Sequence, residues 1–162
     1  MSEMSVNKVK HISLDDCLPL MLEKISEGSS FEFTAHGTSM LPLIRDSEVR
    51  ISPAPAKLKL LDMPLYRRVN GQFVLHRVVG INRDGSYRMC GDNQLSIETP
   101  ISHAQVIGVV TEFDWDGKRT AVSDKEYIKY AKRRLKRLLF KRAYFAVRRF
   151  AGKILRKMRL RK

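Results

Sequence analysis

The sequence predicts a mainly β chain, led by one short helix and closed by a basic helical tail. Three observations predict it. Short runs of β-branched, aromatic and aliphatic residues recur from residue 31 to residue 113, separated by Gly, Pro, Asn and Asp turn signals. One earlier segment carries apolar residues at helical spacing. The charge is also unevenly spread. Residues 1–124 hold 14 Lys+Arg against 16 Asp+Glu, whereas residues 125–162 hold 17 Lys+Arg against the single acid Glu126.

Each element follows in order. Ser13 and Asp16 resemble a helix cap, and Cys17, Leu20, Met21 and Ile25 then recur at helical spacing, which predicts a helix over 13–27. Pro19 is tolerated because it lies near the helix start, and Gly28 ends the helix. Phe31–Ala35 alternates as a half-buried strand. Residues 48–52, 64–68, 73–81, 86–90 and 106–113 read as further short strands. Turn signals separate them at 52–55, Asn70-Gly71, Asp84-Gly85, 91–93 and Asp116-Gly117, and Asn-Gly is a strong hairpin signal. From about Ser123, Ile128, Ala131, Leu135, Leu138 and Leu139 mark one face of a basic amphipathic helix, with an interruption expected near Gly152. The chain therefore divides into a body over 1–124 and a tail over 125–162. The net charge of +14 belongs to the tail, not to the body.

Several function classes are disfavoured. Cys17 and Cys90 are too few for a disulfide framework and do not form a metal-type pair, so both are expected as buried small hydrophobes. No two of His11, His36, His76 and His103 lie four apart on a helical pattern, which speaks against zinc; no cofactor is expected. No run approaches the ~18 apolar residues of a membrane span, and the N-terminus has no apolar signal core. A cytoplasmic protein is expected, with peripheral residence at the inner face of the membrane as an extension of that reading.

Three short pieces carry candidate chemistry: Gly37-Thr38-Ser39-Met40-Leu41-Pro42, Val74-Leu75-His76-Arg77-Val78-Val79, and Gly91-Asp92-Asn93. Singly, each reads as a turn serine, a core histidine and a turn. Nucleophilic catalysis needs an exposed hydroxyl, a base that takes its proton near neutral pH, and donors for the oxyanion. Gly37 permits a sharp bend that presents Ser39, and an imidazole such as His76 has a suitable intrinsic pKa. Spacing alone does not show that the two meet.

Taken in order, with the closing Val106-Ile107-Gly108-Val109-Val110 strand, these pieces resemble the Ser/His branch of the type I signal peptidases. They are also similar to the short S24/S26-type serine peptidases that lack a membrane anchor. The resemblance spans about residues 28–113. It implies a coiled, antiparallel β fold with the serine at the edge of a substrate groove. It further implies a serine endopeptidase acting on a peptide or precursor protein. Ser39 matches the nucleophile and His76 the base. Counting on from Gly91 puts Glu98 at the acid that orients the base, with Asp92 as the alternative. The chain departs from the family's pattern at Leu60-Leu61-Asp62-Met63-Pro64, which stands where Gly-Asp is common, and in lacking an N-terminal membrane helix.

Two other readings stay open: a self-cleaving regulator of the same fold, and a non-catalytic binding module. For the tail, an anionic membrane surface, an acidic protein or peptide, and nucleic acid compete as partners. Nucleic acid is the least favoured, because the first 124 residues contain no recognisable DNA-reading module.

Overall fold

The computed structural model describes residues 14–159, and every strand pairing in it is antiparallel. Helix α1 spans Leu14–Ser26; the cap expected at Ser13 lies outside the described residues. Met21 is fully buried, and Leu14 and Ile25 pack beside it at helical spacing, while Leu20 points to solvent.

Nine strands follow: β1 (Phe31–Ala35), β2 (Ser47–Ser52), β3 (Pro64–Arg67), β4 (Phe73–Leu75), β5 (Arg77–Ile81), β6 (Tyr87–Cys90), β7 (Glu98–Ile101), β8 (Val106–Trp115) and β9 (Lys118–Ala121). The larger sheet runs β1-β2-β8-β3-β4, with β9 also paired to β8. Strand β8 is its spine: β2 lies along one edge, and β3 then β9 along the other. The smaller sheet runs β5-β6-β7. Pro64 opens β3, a position where a strand tolerates proline.

The predicted strand over 73–81 is two strands, broken at His76. Its first part belongs to the larger sheet and its second to the smaller one. His76, Arg77 and Val78 are all buried, so this stretch does not alternate between core and solvent; it passes between the two sheets. Strands β7 and β9 were not foreseen. The first is only four residues long and contains Pro100. The second, Lys-Arg-Thr-Ala, has no apolar signal; charge partners hold it, with Arg119 meeting Glu32 and Glu112.

Two apolar clusters form. One joins Met21, Met40, Leu43, Ile44, Val49, Ile51, Met63, Leu65, Val110 and Phe113. The other gathers Tyr66 and Val74 from the larger sheet with Val78, Tyr87, Met89 and Ile101 from the smaller. Helix α2 spans Lys125–Arg159 without a break, correcting the interruption expected at Gly152. A single glycine in a helix costs only about 1 kcal/mol relative to alanine, too little to break so long a run of helix formers.

The composition changes at residue 125, but the packing does not. Tyr127 and Ala131 belong to the first core cluster, Ile128 packs against it, and Leu138 is buried. Tyr127 meets Phe113 edge to face, and Trp115 packs against Tyr130 with the two rings tilted by 60°. Leu139, predicted on the same face, is about half exposed.

Candidate active site

Ser39 sits in the loop from β1 to β2. Gly37 there has φ +114°, a conformation that residues bearing a Cβ rarely adopt, and it turns the chain back toward the body. Met40, Leu43 and Ile44 are buried, so the loop is anchored in the core directly after the serine. The Met40 carbonyl accepts from the amides of Leu43 (3.0 Å) and Ile44 (3.2 Å).

The Gly91-Asp92-Asn93 turn clamps this loop from the other side. The Asn93 amide donates to the Ser39 carbonyl at 2.8 Å, and Asn93 Nδ2 donates to the Thr38 carbonyl at 3.2 Å. A Cβ on residue 91 would stand 2.6 Å from the Ser39 carbonyl oxygen, so only glycine lets the two backbones approach this closely.

His76 is 2% exposed, at the junction between β4 and β5. Its Nδ1 lies 3.3 Å from Glu98 Oε1 and 3.2 Å from the Tyr66 hydroxyl. That hydroxyl donates to Glu98 Oε2 at 3.0 Å, so its proton is already committed. The network therefore assigns the imidazole proton to Nδ1, with the lone pair on Nε2. Arg68 completes the arrangement: Nε donates to Glu98 Oε2 at 2.8 Å and Nη2 donates to Oε1.

The electrostatics follow from these contacts. Arg68's hydrogen bonds outweigh burial and hold the Glu98 carboxyl below its ordinary range, so Glu98 is ionised. Burial, reinforced by the adjoining Glu98 carboxylate, raises the Tyr66 hydroxyl and keeps it a donor. Burial is also the main influence on His76, pulling its pKa below 6.5. Glu98 opposes that shift and Arg68 adds to it. The imidazole is neutral near pH 7, the state a general base requires.

Of the two acids proposed for His76, the structure brings Glu98 to it and takes Asp92 elsewhere. Asp92 is buried and forms a two-pronged pair with Arg77, Nε to Oδ1 at 2.8 Å and Nη2 to Oδ2 at 2.7 Å. Arg77 Nη1 donates to the Tyr127 hydroxyl (2.7 Å) and the Leu61 carbonyl (3.1 Å), and Tyr130 donates to Asp92 Oδ2 at 3.3 Å. Burial opposes the charge on Arg77, but Asp92 and Tyr127 outweigh it and raise its pKa. This pair ties α2 to the turn that clamps Ser39.

Ser39 and His76 line one cavity of about 280 Å³, together with Gly37, Met40, Arg68 and Leu75. Ser39 is half-buried at its wall. No hydrogen bond joins the Ser39 hydroxyl to His76, and Nε2 makes none, among the described residues. Catalytic hydrogen bonds commonly tighten only when substrate binds. Cys90 is buried, and burial pushes its thiol up to about 11, so it stays protonated near neutral pH. Among the described residues no three His, Cys, Asp or Glu side chains converge in a metal-type cluster.

Tyr66 and Arg68 did not stand out in the sequence, and Arg77 appeared only within the piece over 74–79, without a role of its own. The signal for the first two lies in the β3–β4 hairpin. Arg68 and Gln72 bracket a three-residue loop with Gly71 at φ +89°, which pairs Tyr66 with Val74. Tyr66 then shares a face with His76, two residues on from its partner. A two-residue Asn-Gly turn would shift the register by one and send Tyr66 to the other face. Comparison of the chain with protein-family models, with curated proteins and with solved structures finds no significant match.

Proposed function

We propose that this chain is a serine endopeptidase in which Ser39 is the nucleophile, His76 the general base and Glu98 the acid that orients it. The observation that carries this reading is the commitment of His76 Nδ1 to Tyr66 and Glu98. It leaves Nε2 without a partner on a ring that shares a cavity wall with Ser39. The resemblance of the ordered sequence motifs to S24/S26-type peptidases supports the same reading.

In the proposed reaction Ser39 Oγ forms a bond to the scissile carbonyl carbon as its proton passes to His76 Nε2. The charged imidazole that results is stabilised by Glu98, which remains ionised. The amides of Ser39 and Met40, which have no hydrogen-bond partner among the described residues, are assigned as donors to the oxyanion. The carbon–nitrogen bond then breaks, the leaving amine takes the proton from Nε2, and water hydrolyses the acyl-serine with His76 again as base.

The test is covalent labelling by a fluorophosphonate probe, followed by peptide mass spectrometry. Modification of Ser39, lost in Ser39→Ala and strongly slowed in His76→Ala, is the expected result. A folded parent protein that neither reacts with the probe nor cleaves any member of a random peptide library overturns the assignment.

A further inference from the structure

Helix α2 buries apolar residues against the body in its first half and carries exposed apolar residues beyond Leu138. In its first half Tyr127, Ala131 and Leu138 face the body, and Arg142 Nη1 makes a final contact with the Leu95 carbonyl at 2.9 Å. The opposite face of that half is cationic and exposed, with Lys129, Arg133 and Lys136 in line at helical spacing.

Two residues after Leu138, about 200° around the helix, Phe140 takes up that outward line. Phe140, Ala143, Tyr144 and Val147 continue it, and all are exposed: Phe140 is 75% accessible and Val147 68%. Phe145, on the line of Leu138, and Phe150 are exposed as well. Lys141 and Arg148 lie beside the outward row, also exposed. The sequence repeats the spacing at Ala151, Ile154 and Met158. Nothing among the described residues covers this apolar row. Glu126, in the first turn, is the only acid in the helix.

From this we propose that the outward face of α2, from Lys129 through Phe140, Tyr144 and Val147, is a docking surface for an anionic lipid bilayer. The proposal is independent of the peptidase assignment. The charge of the face selects the partner: a cationic run leading into an apolar, aromatic row complements anionic headgroups above acyl chains. An acidic protein or a nucleic acid would satisfy the cations but not the apolar row. No helix among the described residues is long and apolar enough to cross a membrane, so the geometry is that of a helix lying in the interface plane.

The face differs from the one expected from sequence. Of that stripe, Ala131 and Leu138 are buried against the body and Ile128 packs against the core, so these residues are not offered to a membrane.

The experiment is sedimentation of the full chain with phosphatidylcholine vesicles that do or do not contain phosphatidylglycerol. Binding only to the anionic vesicles is expected. Combined Phe140→Ser, Tyr144→Ser and Val147→Ser should weaken it about tenfold or more, with the thermal midpoint unchanged because all three side chains are exposed. As a second measurement, Phe140→Trp should give emission that shifts to the blue on adding anionic vesicles. Equal sedimentation of the triple variant and the parent overturns the proposal, as does an unshifted Phe140→Trp spectrum in protein that has sedimented. Tighter binding to an acidic peptide or a duplex oligonucleotide than to vesicles, unaffected by the triple substitution, also overturns it and assigns the face to a polyanion.

Discussion

Glu98 reaches His76 with the same carboxylate that Arg68 holds, its Oε1 3.3 Å from His76 Nδ1 while both oxygens accept from the guanidinium. The acid proposed to orient His76 is thus itself oriented, by a residue on the strand hairpin next to the histidine. Arg68 keeps Glu98 ionised and at the same time disfavours a charge on His76. Neither acid nor base can be altered without changing the other.

The pH dependence follows. With the neutral imidazole as the proposed base, the rate should be full above the folded pKa of His76 and fall as pH drops through it. That pKa lies below 6.5, mainly through burial. The acid limb of kcat/KM should therefore fall below 6.5, and a flat profile down to pH 4 would exclude His76. The same shift makes a stability term that is present above ~6.5 and is lost as pH falls through the folded pKa.

Glu98→Gln removes the carboxylate that favours the charged imidazole while leaving Arg68 in place. The acid limb should move further to low pH, and turnover should fall about 10²-fold or more because Nδ1 loses its anionic partner. Tyr66→Phe should cost less, since Glu98 Oε1 still faces Nδ1. Rate–pH profiles of the three proteins separate these outcomes.

Asp92→Asn should act on stability. It leaves the buried Arg77 guanidinium facing a neutral amide, and breaking a buried pair from one side costs about 3–5 kcal/mol. Denaturant unfolding should place this loss well above that of Glu98→Gln, whose carboxylate is partly exposed. The reverse order in unfolding would contradict the structural role given to Asp92.

Gly91→Ala tests the clamp on the proposed nucleophile. Because the added methyl would meet the Ser39 carbonyl at 2.6 Å, the serine loop must shift. The labelling rate at Ser39 should fall by about tenfold or more, since small displacements of a reacting group are costly. A labelling rate equal to that of the parent would show that the loop yields without moving the hydroxyl.

Truncation tests where the body ends. Removing residues 125–162 also removes Tyr127 and Ala131 from the core, and loss of one buried aromatic alone costs about 3–5 kcal/mol. That protein should fail to fold cooperatively. Truncation after Ala143, which keeps Leu138 and Arg142, should leave a melting transition close to that of the parent.

The sequence by itself determined the class of fold, because strand alternation and turn residues are local signals: β1 is found at the predicted 31–35, and Asn70-Gly71 does turn a hairpin. It also marked Ser39, His76 and Glu98, though through a resemblance and a residue count, not through any contact. What the tertiary structure decided is everything that depends on register and on faces. A three-residue loop in place of a two-residue one puts Tyr66 beside His76. A strand that leaves one sheet for another buries His76 and Arg77 in succession. The pairing of Arg77 with Asp92 takes one acid away from His76, and the grip of Arg68 brings Glu98 to it. In α2, composition announced a basic helix, but which side is buried depends on where the body lies, so the apolar row at Phe140, Tyr144 and Val147 was separated from the core-facing one only by packing. Local patterns set how a segment is patterned; the partners across a sheet or a helix face come from residues distant in sequence, and no local window contains them.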